Sequence, residues 1–243
     1  MIARAKAMET AIGIGEDEPP LGRREAGKAE RRQRIIEAAR DLIRETGATG
    51  LSMRTLAARA GVSLATPYNL FGSKSAIILA LLEDARAFRE RFAAVRTPDP
   101  LERIFAAVDL SVDYYVSDSV FYKTLWAAVF DTSDEVRSAV YNPKARGFWI
   151  GLSEAACEAG AVQPGVSGRL LALQLMHVFR SAMLDWVVGE TPPEALSPII
   201  QLGFAMVLSG VAAAEWRGPL HARLADCHAR LLELLPEEPI NSP

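Results

Sequence analysis

Two glycines divide the stretch from Ser52 to Lys74, SMRTLAARAGVSLATPYNLFGSK, into segments too short to fold alone and too regular to be loop. Leu56, Ala57 and Ala60 fall at helical intervals, so the first segment is a short helix with one buried face, and the Ser52 hydroxyl is placed to cap it. Gly61 ends that helix, because a sharp C-terminal turn needs a left-handed residue and glycine adopts that conformation without steric cost. Val62 then points back to the core and Ser63 is placed to cap a second helix over Leu64–Phe71. Pro67 falls within its first turn or just beyond, where a missing N–H does least harm, and shares the inward face with Phe71. Ala65, Thr66, Asn69 and Leu70 are left pointing outward, with Tyr68 at the margin. Small, hydrogen-bonding and methyl-contacting side chains on one exposed helical face match what a DNA major groove offers. Gly72 stops this helix, Ser73 caps the next, and Lys74 stands at a helix N-terminus, where charge and free N–H groups favour a phosphate.

The stretch continues a longer ordered string. R-x-x-I-I-x-A-A-x-x-L-I runs from Arg32 to Ile43 and G-x-x-x-L-S from Gly47 to Ser52; L-A-x-x-A-G-V-S then spans Leu56 to Ser63 and T-x-Y-x-x-F-x-S-K spans Thr66 to Lys74. This string resembles the N-terminal DNA-binding domain of TetR-type transcriptional repressors over roughly residues 28–82. The resemblance implies an all-α protein: an N-terminal helix-turn-helix DNA-binding domain followed by a helical-bundle ligand-binding and dimerisation domain. It implies as partners a double-stranded DNA operator, a small-molecule effector and a second copy of the chain. The expected DNA-binding set is Ser52, Arg54, Ser63, Ala65, Thr66, Tyr68, Asn69 and Lys74, of which Arg54, Thr66, Tyr68 and Lys74 are carried over at matching positions. Leu64 and Leu70 stand where relatives can place polar base-readers, so thymine methyls and DNA shape are expected to supply part of the specificity.

Charge supports the division. The chain of 243 residues has a formal net charge of −3, yet residues 21–75 hold 11 Lys/Arg against 5 Asp/Glu, a net of +6, and residues 76–243 a net of −7. A basic head on an acidic body fits a DNA reader whose larger part stays off the duplex. The expected boundaries are a flexible tail at 1–22, the DNA-binding domain at 23–75, a connector with the effector and dimerisation domain at 76–236, and a C-terminal tail at 237–243. Arg23, Arg24, Lys28, Arg31, Arg32 and Arg34 form a basic run suited to phosphates or a minor groove. Pairing with Glu25, Glu30 and Glu37 on a solvated helix face is the alternative.

Helical periodicity places a first helix at about 26–45 and a connector at 75–95, then helices at about 100–116, 118–130, 133–159, 167–189, 193–216 and 219–235. The helices at 167–189 and 193–216 are apolar on almost every side, which points to a two-fold four-helix subunit interface, with central helices of a monomer as the alternative. Gly203, Ser209, Gly210 and Ala213 would let helices approach closely.

Walls for an apolar or amphipathic effector are expected from Tyr115, Tyr122, Trp126, Phe130, Phe148, Trp149, Met176, His177, Phe179 and Met183. Asp113, Asn142 and Arg180 are further polar candidates; a buried, satisfied histidine is the alternative for His177. No GxSxG, Walker, GxGxxG or HExxH motif occurs, and His221, Cys227 and His228 lack zinc-ligand spacing, so no catalytic residue, metal or cofactor is expected. Cys157 and Cys227 read as reduced, buried thiols. No apolar run of membrane-spanning length and no signal peptide is recognised, which predicts a soluble, cytoplasmic protein. A helical small-molecule binder whose head is a protein-interaction module is the competing reading; a regulator with a solid body and no effector is a third.

Overall fold

The computed structural model describes residues 23–83, 86–130 and 143–235. The tails expected at 1–22 and 237–243, and the first ten residues of the helix expected from 133, lie outside the described residues. Among the described residues are eleven helices and no strand: α1 (Arg23–Gly50), α2 (Met53–Arg59), α3 (Ala65–Phe71), α4 (Lys74–Glu83), α5 (Arg86–Ala93), α6 (Pro100–Val116), α7 (Ser119–Phe130), α8 (Pro143–Glu158), α9 (Gly168–Val188), α10 (Pro193–Ser209) and α11 (Ala214–Leu234). The all-α expectation holds. The helices belong to two compact units, one built from the described residues before 87 together with 118–130 and 143–145, the other from 87–117 and the described residues from 146 onward.

In the first unit, Ile35, Ile36, Ala38, Ala39, Leu42 and Ile43 form the buried stripe of α1. Regular helix geometry is interrupted at Gly47, whose φ of 70° leaves the helical region. A reciprocal cap opens α2: the Thr55 N–H donates to Ser52 Oγ at 3.1 Å and the Ser52 N–H donates to Thr55 Oγ1 at 3.0 Å. Gly61, at φ 64°, closes it. The Val62 N–H reaches back to the Ala57 carbonyl (3.0 Å) and the Gly61 N–H to that of Ala58 (3.3 Å), the paired bonds that satisfy a helix C-terminus. Ser73 Oγ accepts from the Ala76 N–H at 3.1 Å and so caps α4, which buries Ile77, Ile78 and Leu81. The helix expected at 118–130 as part of the body is α7, and it packs here, on α1 and α4. Phe121, Tyr122, Leu125 and Trp126 are its buried residues, Arg44 pairs with Asp118 just before it, and the Arg40 and Arg44 guanidinium groups lie 5.2 and 5.3 Å from the Phe121 ring centre.

In the second unit, α10 packs on α6, α9 and α11. Leu196, Ile200, Phe204, Ala205 and Leu208 are buried along it. Two glycines set helix spacing. A Cβ on Gly203 would lie 2.5 Å from Val178 Cγ1, and one on Gly168 would lie 2.9 Å from the Glu154 backbone, so α9 approaches α10 and α8 too closely for a larger residue. The close approach expected of Gly203 is thus used inside the chain. A polar network ties α6, α10 and α11: Asp109 accepts from Ser197 (2.6 Å) and Gln201 (2.5 Å), and Arg223 donates to Gln201 Oε1 (2.8 Å) and to both Glu102 oxygens while stacking on Phe105. Asp99, in the TPDP break, caps α6 through the Leu101 and Glu102 N–H groups.

In this unit three sequence expectations change. The helix expected at 193–216 ends at Ser209, because residues 211–213 turn out to pair with the α8–α9 loop: Gln163 N–H donates to the Val211 carbonyl (2.8 Å) and Ala213 N–H to that of Ala161 (3.0 Å). The extended Ala213 then starts α11 at Ala214, five residues early, and Pro219 sits inside the helix on its exposed side. Finally, α9 has the length and mean hydropathy of a bilayer span, contrary to expectation. Leu171, Leu175, Met176, Phe179, Met183 and Trp186 bury one side of it within the unit, while Leu170 (62%), Leu184 (39%) and Val188 (61%) are exposed, as is Met206 (60%) on α10. The two cysteines also lie in this unit; Cys227 is buried as expected, whereas Cys157 is only half-buried, and burial pushes both thiols up.

Candidate nucleic-acid interface

The helix α3 is two-sided because proline and an aromatic hold its inner face. Pro67 is buried, and Phe71 lies half-buried under the Arg32 guanidinium, 4.2 Å from ring centre to Arg32 Cζ. Opposite them Leu64, Ala65, Tyr68 and Asn69 are exposed, with Thr66 and Leu70 half-buried. Tyr68, expected at the margin, is 51% exposed and belongs to the outward face; Leu64 is 47% exposed beside it. An apolar residue this open at the start of α3 is available to a thymine methyl.

Ser63 does not cap α3. Leu64 takes the N-cap position in helical geometry (φ −56°, ψ −31°), so no side chain caps the helix. The Ser63 hydroxyl instead meets the Thr66 hydroxyl at 2.9 Å, while the Thr66 N–H bonds the Ser63 carbonyl. Either oxygen can donate in that pair, which leaves Thr66 able to present an acceptor or a proton to a base edge. On α2, Arg54 is exposed and Ser52 is engaged by Thr55 through both its N–H and its hydroxyl. Lys74 is the first residue of α4, directly after the Ser73 cap. A two-pronged brace fixes α2 on α1: Arg59 Nη1 and Nη2 donate to Glu45 Oε1 (2.9 Å) and Oε2 (2.7 Å), and the guanidinium holds the Glu45 carboxyl below the usual carboxylate range.

An open cleft of ≈ 580 Å³ runs beside α3, lined by Arg24, Glu25, Lys28 and Arg31 of α1 on one side and Thr66, Asn69 and Leu70 on the other. Arg24, Lys28 and Arg31 are four and three residues apart, one helical face, so the basic run lies along the same groove as the outward face of α3. That spacing is visible in the sequence; that the row faces α3 is not. Arg32, by contrast, turns to α3 itself.

The expected effector residues divide between the units. Tyr122 and Trp126 are buried in the unit that contains α3. The other unit holds Tyr115, Phe148, Trp149, Met176, His177, Phe179 and Met183. The side chain of Phe130, and Asn142, lie outside the described residues. Phe88, Phe92, Phe148, Trp149, Phe179 and Phe204 form a continuous aromatic chain with neighbouring ring centres 5.0 to 6.0 Å apart. His177 is exposed on α9, so it is neither a satisfied core histidine nor a wall of that chain, the α9 turns that pack inward being carried by Met176 and Phe179. Asp113 is exposed and paired with Arg91 at 3.0 Å, and Arg180 Nε donates to the Met176 carbonyl.

The family model described as bacterial regulatory proteins, tetR family, matches residues 35–81, from the buried stripe of α1 through α4. The HTH-type transcriptional regulator BetI of Agrobacterium fabrum is 30% identical over 169 residues, which cover 63% of this chain and 80% of BetI. The HTH-type transcriptional activator FasR of Mycolicibacterium smegmatis is 31% identical over 137 residues, 54% of this chain and 63% of FasR. Among solved structures, Thermus thermophilus FadR, a TetR-family repressor in complex with lauroyl-CoA, aligns with a TM-score of 0.61 at 20% identity over 74% of this chain and 94% of FadR, a likeness of fold.

Proposed function

The chain belongs to the tetR family of bacterial regulatory proteins, and from that premise we propose that it is a ligand-responsive repressor acting in the cytoplasm as a homodimer on a near-palindromic operator. The observation that carries the proposal is the two-sided α3, with Pro67 buried and Ala65, Tyr68 and Asn69 exposed beside a basic cleft. Each dimer places its two α3 helices in successive major grooves. Thr66 and Asn69 read base edges, Leu64 and Ala65 contact thymine methyls, Arg54 binds a guanine edge or a phosphate, and Tyr68, Lys74 and the Ser52 turn hold the backbone. Arg24, Lys28 and Arg31 follow the flanking phosphates.

The exposed apolar residues of α9 and α10, Leu170, Leu184, Val188 and Met206, support pairing through these helices. The aromatic chain around Phe148 and Trp149 supports an apolar or amphipathic effector, whose binding shifts the helices of residues 100–130 and is passed to the head through the 75–95 segment. Effector and DNA then oppose one another by the same factor in each direction. Calorimetric titration of the protein with duplex DNA tests the core of this reading: one dimer per duplex and a marked preference for one sequence over random DNA are expected. Equal affinity for every duplex would sink it, and salt-indifferent affinity would return the head to a protein-interaction module.

A further inference from the structure

We infer that Arg32 is a positioning residue for DNA reading, clamping the C-terminal end of α3 onto α1 and so fixing the angle at which Thr66 and Asn69 meet a duplex. This rests on the reading of α3 as the recognition helix. Arg32 belongs by sequence to the basic run, and by charge alone would be counted with the phosphate contacts. Its geometry is different. Nη1 donates to the Leu70 carbonyl at 3.1 Å, and the guanidinium lies over the Phe71 ring with Cζ 4.2 Å from the centroid.

The physical need is clear from α3 itself, seven residues with no side-chain N-cap. A helix this short does not hold its own geometry in water. The Gly72 N–H takes the Tyr68 carbonyl at 2.8 Å, and the Leu70 carbonyl, in the last turn, takes its proton from α1. A cation at a helix C-terminus is favoured by the aligned peptide dipoles, and a planar guanidinium can satisfy the carbonyl and cover the ring at once, which an ammonium cannot. Arg32 precedes Ile35 and Ile36 by one turn, so it continues the buried stripe of α1 to where the core gives way to solvent. The chain repeats the device after α5: Arg103 Nη1 donates to the Val95 carbonyl at 3.3 Å while its guanidinium lies 5.1 Å from the Phe92 ring centre. Both arginines hold the exit of a short helix against an aromatic of that helix.

The test uses the full-length protein, an operator duplex chosen by selection from random DNA, and a scrambled duplex of equal length. Affinity for both is measured across a range of salt for the wild type and for Arg32→Lys, Arg32→Ala and Phe71→Leu, with circular dichroism confirming that each is folded. Arg32→Lys and Arg32→Ala are each expected to lose about tenfold in the operator-to-scrambled ratio, the size of one good base contact, with the salt slope unchanged. Phe71→Leu is expected to lose part of the same ratio. The inference is overturned if Arg32→Lys keeps the wild-type ratio, or if Arg32→Ala leaves the ratio intact and lowers the salt slope by about 0.9, the signature of one lost phosphate contact. Lysine at an exposed position leaves the fold intact, so that variant decides the matter even if Arg32→Ala or Phe71→Leu unfolds. A wild type that selects no operator removes the underlying reading instead, which separates the two failures.

Discussion

Thr66 and Asn69 line a cleft opposite Arg24, Lys28 and Arg31 of α1, and short polar side chains and basic ones are expected to fail differently when removed. Thr66→Ala or Asn69→Ala removes a short polar group from the reading edge, which relaxes preference at one half-site position by roughly 1–3 kcal/mol. Lys74→Ala removes charge and no base information, so it weakens operator and random DNA alike and flattens the salt dependence. Competition titrations with single-base operator variants check this. Identical effects of all three substitutions on specific and random duplexes would show that the readers are wrongly assigned. With Leu64 open and Ala65 beside it, few polar groups remain on α3 to spell a base code, so replacing thymine by uracil at the position facing Leu64 is expected to lower affinity with no change in hydrogen bonding.

At the scale of elements, the tightest constraint is where helices meet at glycine. Gly168→Ala would gain up to about 1 kcal/mol of helix propensity but drives a methyl against the Glu154 backbone, which cannot rotate away. Overpacking of this kind costs about 1–3 kcal/mol, so a net loss of stability is expected in urea denaturation; unchanged or raised stability would mean that α8 and α9 move apart freely. Periodicity and glycine placement made most of these helices legible, α2 and α3 to within a residue, since their caps and turns are local. What escaped depends on contacts remote in sequence. The end of α10 is set by a pairing between residues 161–163 and 211–213, and the seat of α7 by burial of Phe121, Leu125 and Trp126 against helices remote in sequence, with Arg44 paired to Asp118 74 residues on. The outward face of α3 followed from spacing, Tyr68 excepted, whereas the contact of Arg32 with the Leu70 carbonyl, 38 positions away, did not. Ser63 stands where a capping serine is expected, but Leu64 takes the cap position in helical geometry.

At the scale of the whole molecule, a net +6 over residues 21–75 against −7 over residues 76–243 means that affinity for any duplex is expected to fall steeply with salt. On the proposed reading, pairing of two chains turns one short helix into a specific reader, because two half-sites multiply the discrimination of one. Leu184→Glu with Val188→Glu places charge on the exposed apolar edge of α9 and is expected to yield a folded monomer by sedimentation, with operator affinity reduced by orders of magnitude and affinity for a single half-site little changed; a persistent dimer would place the interface elsewhere. The most direct test of the central claim is selection of bound duplexes from random DNA by the full-length protein. A near-palindromic sequence with half-sites one helical turn apart, enriched by the wild type and lost with Thr66→Ala and Asn69→Ala combined, is the predicted result. Enrichment of no sequence, or of one that the double variant selects equally well, would contradict it.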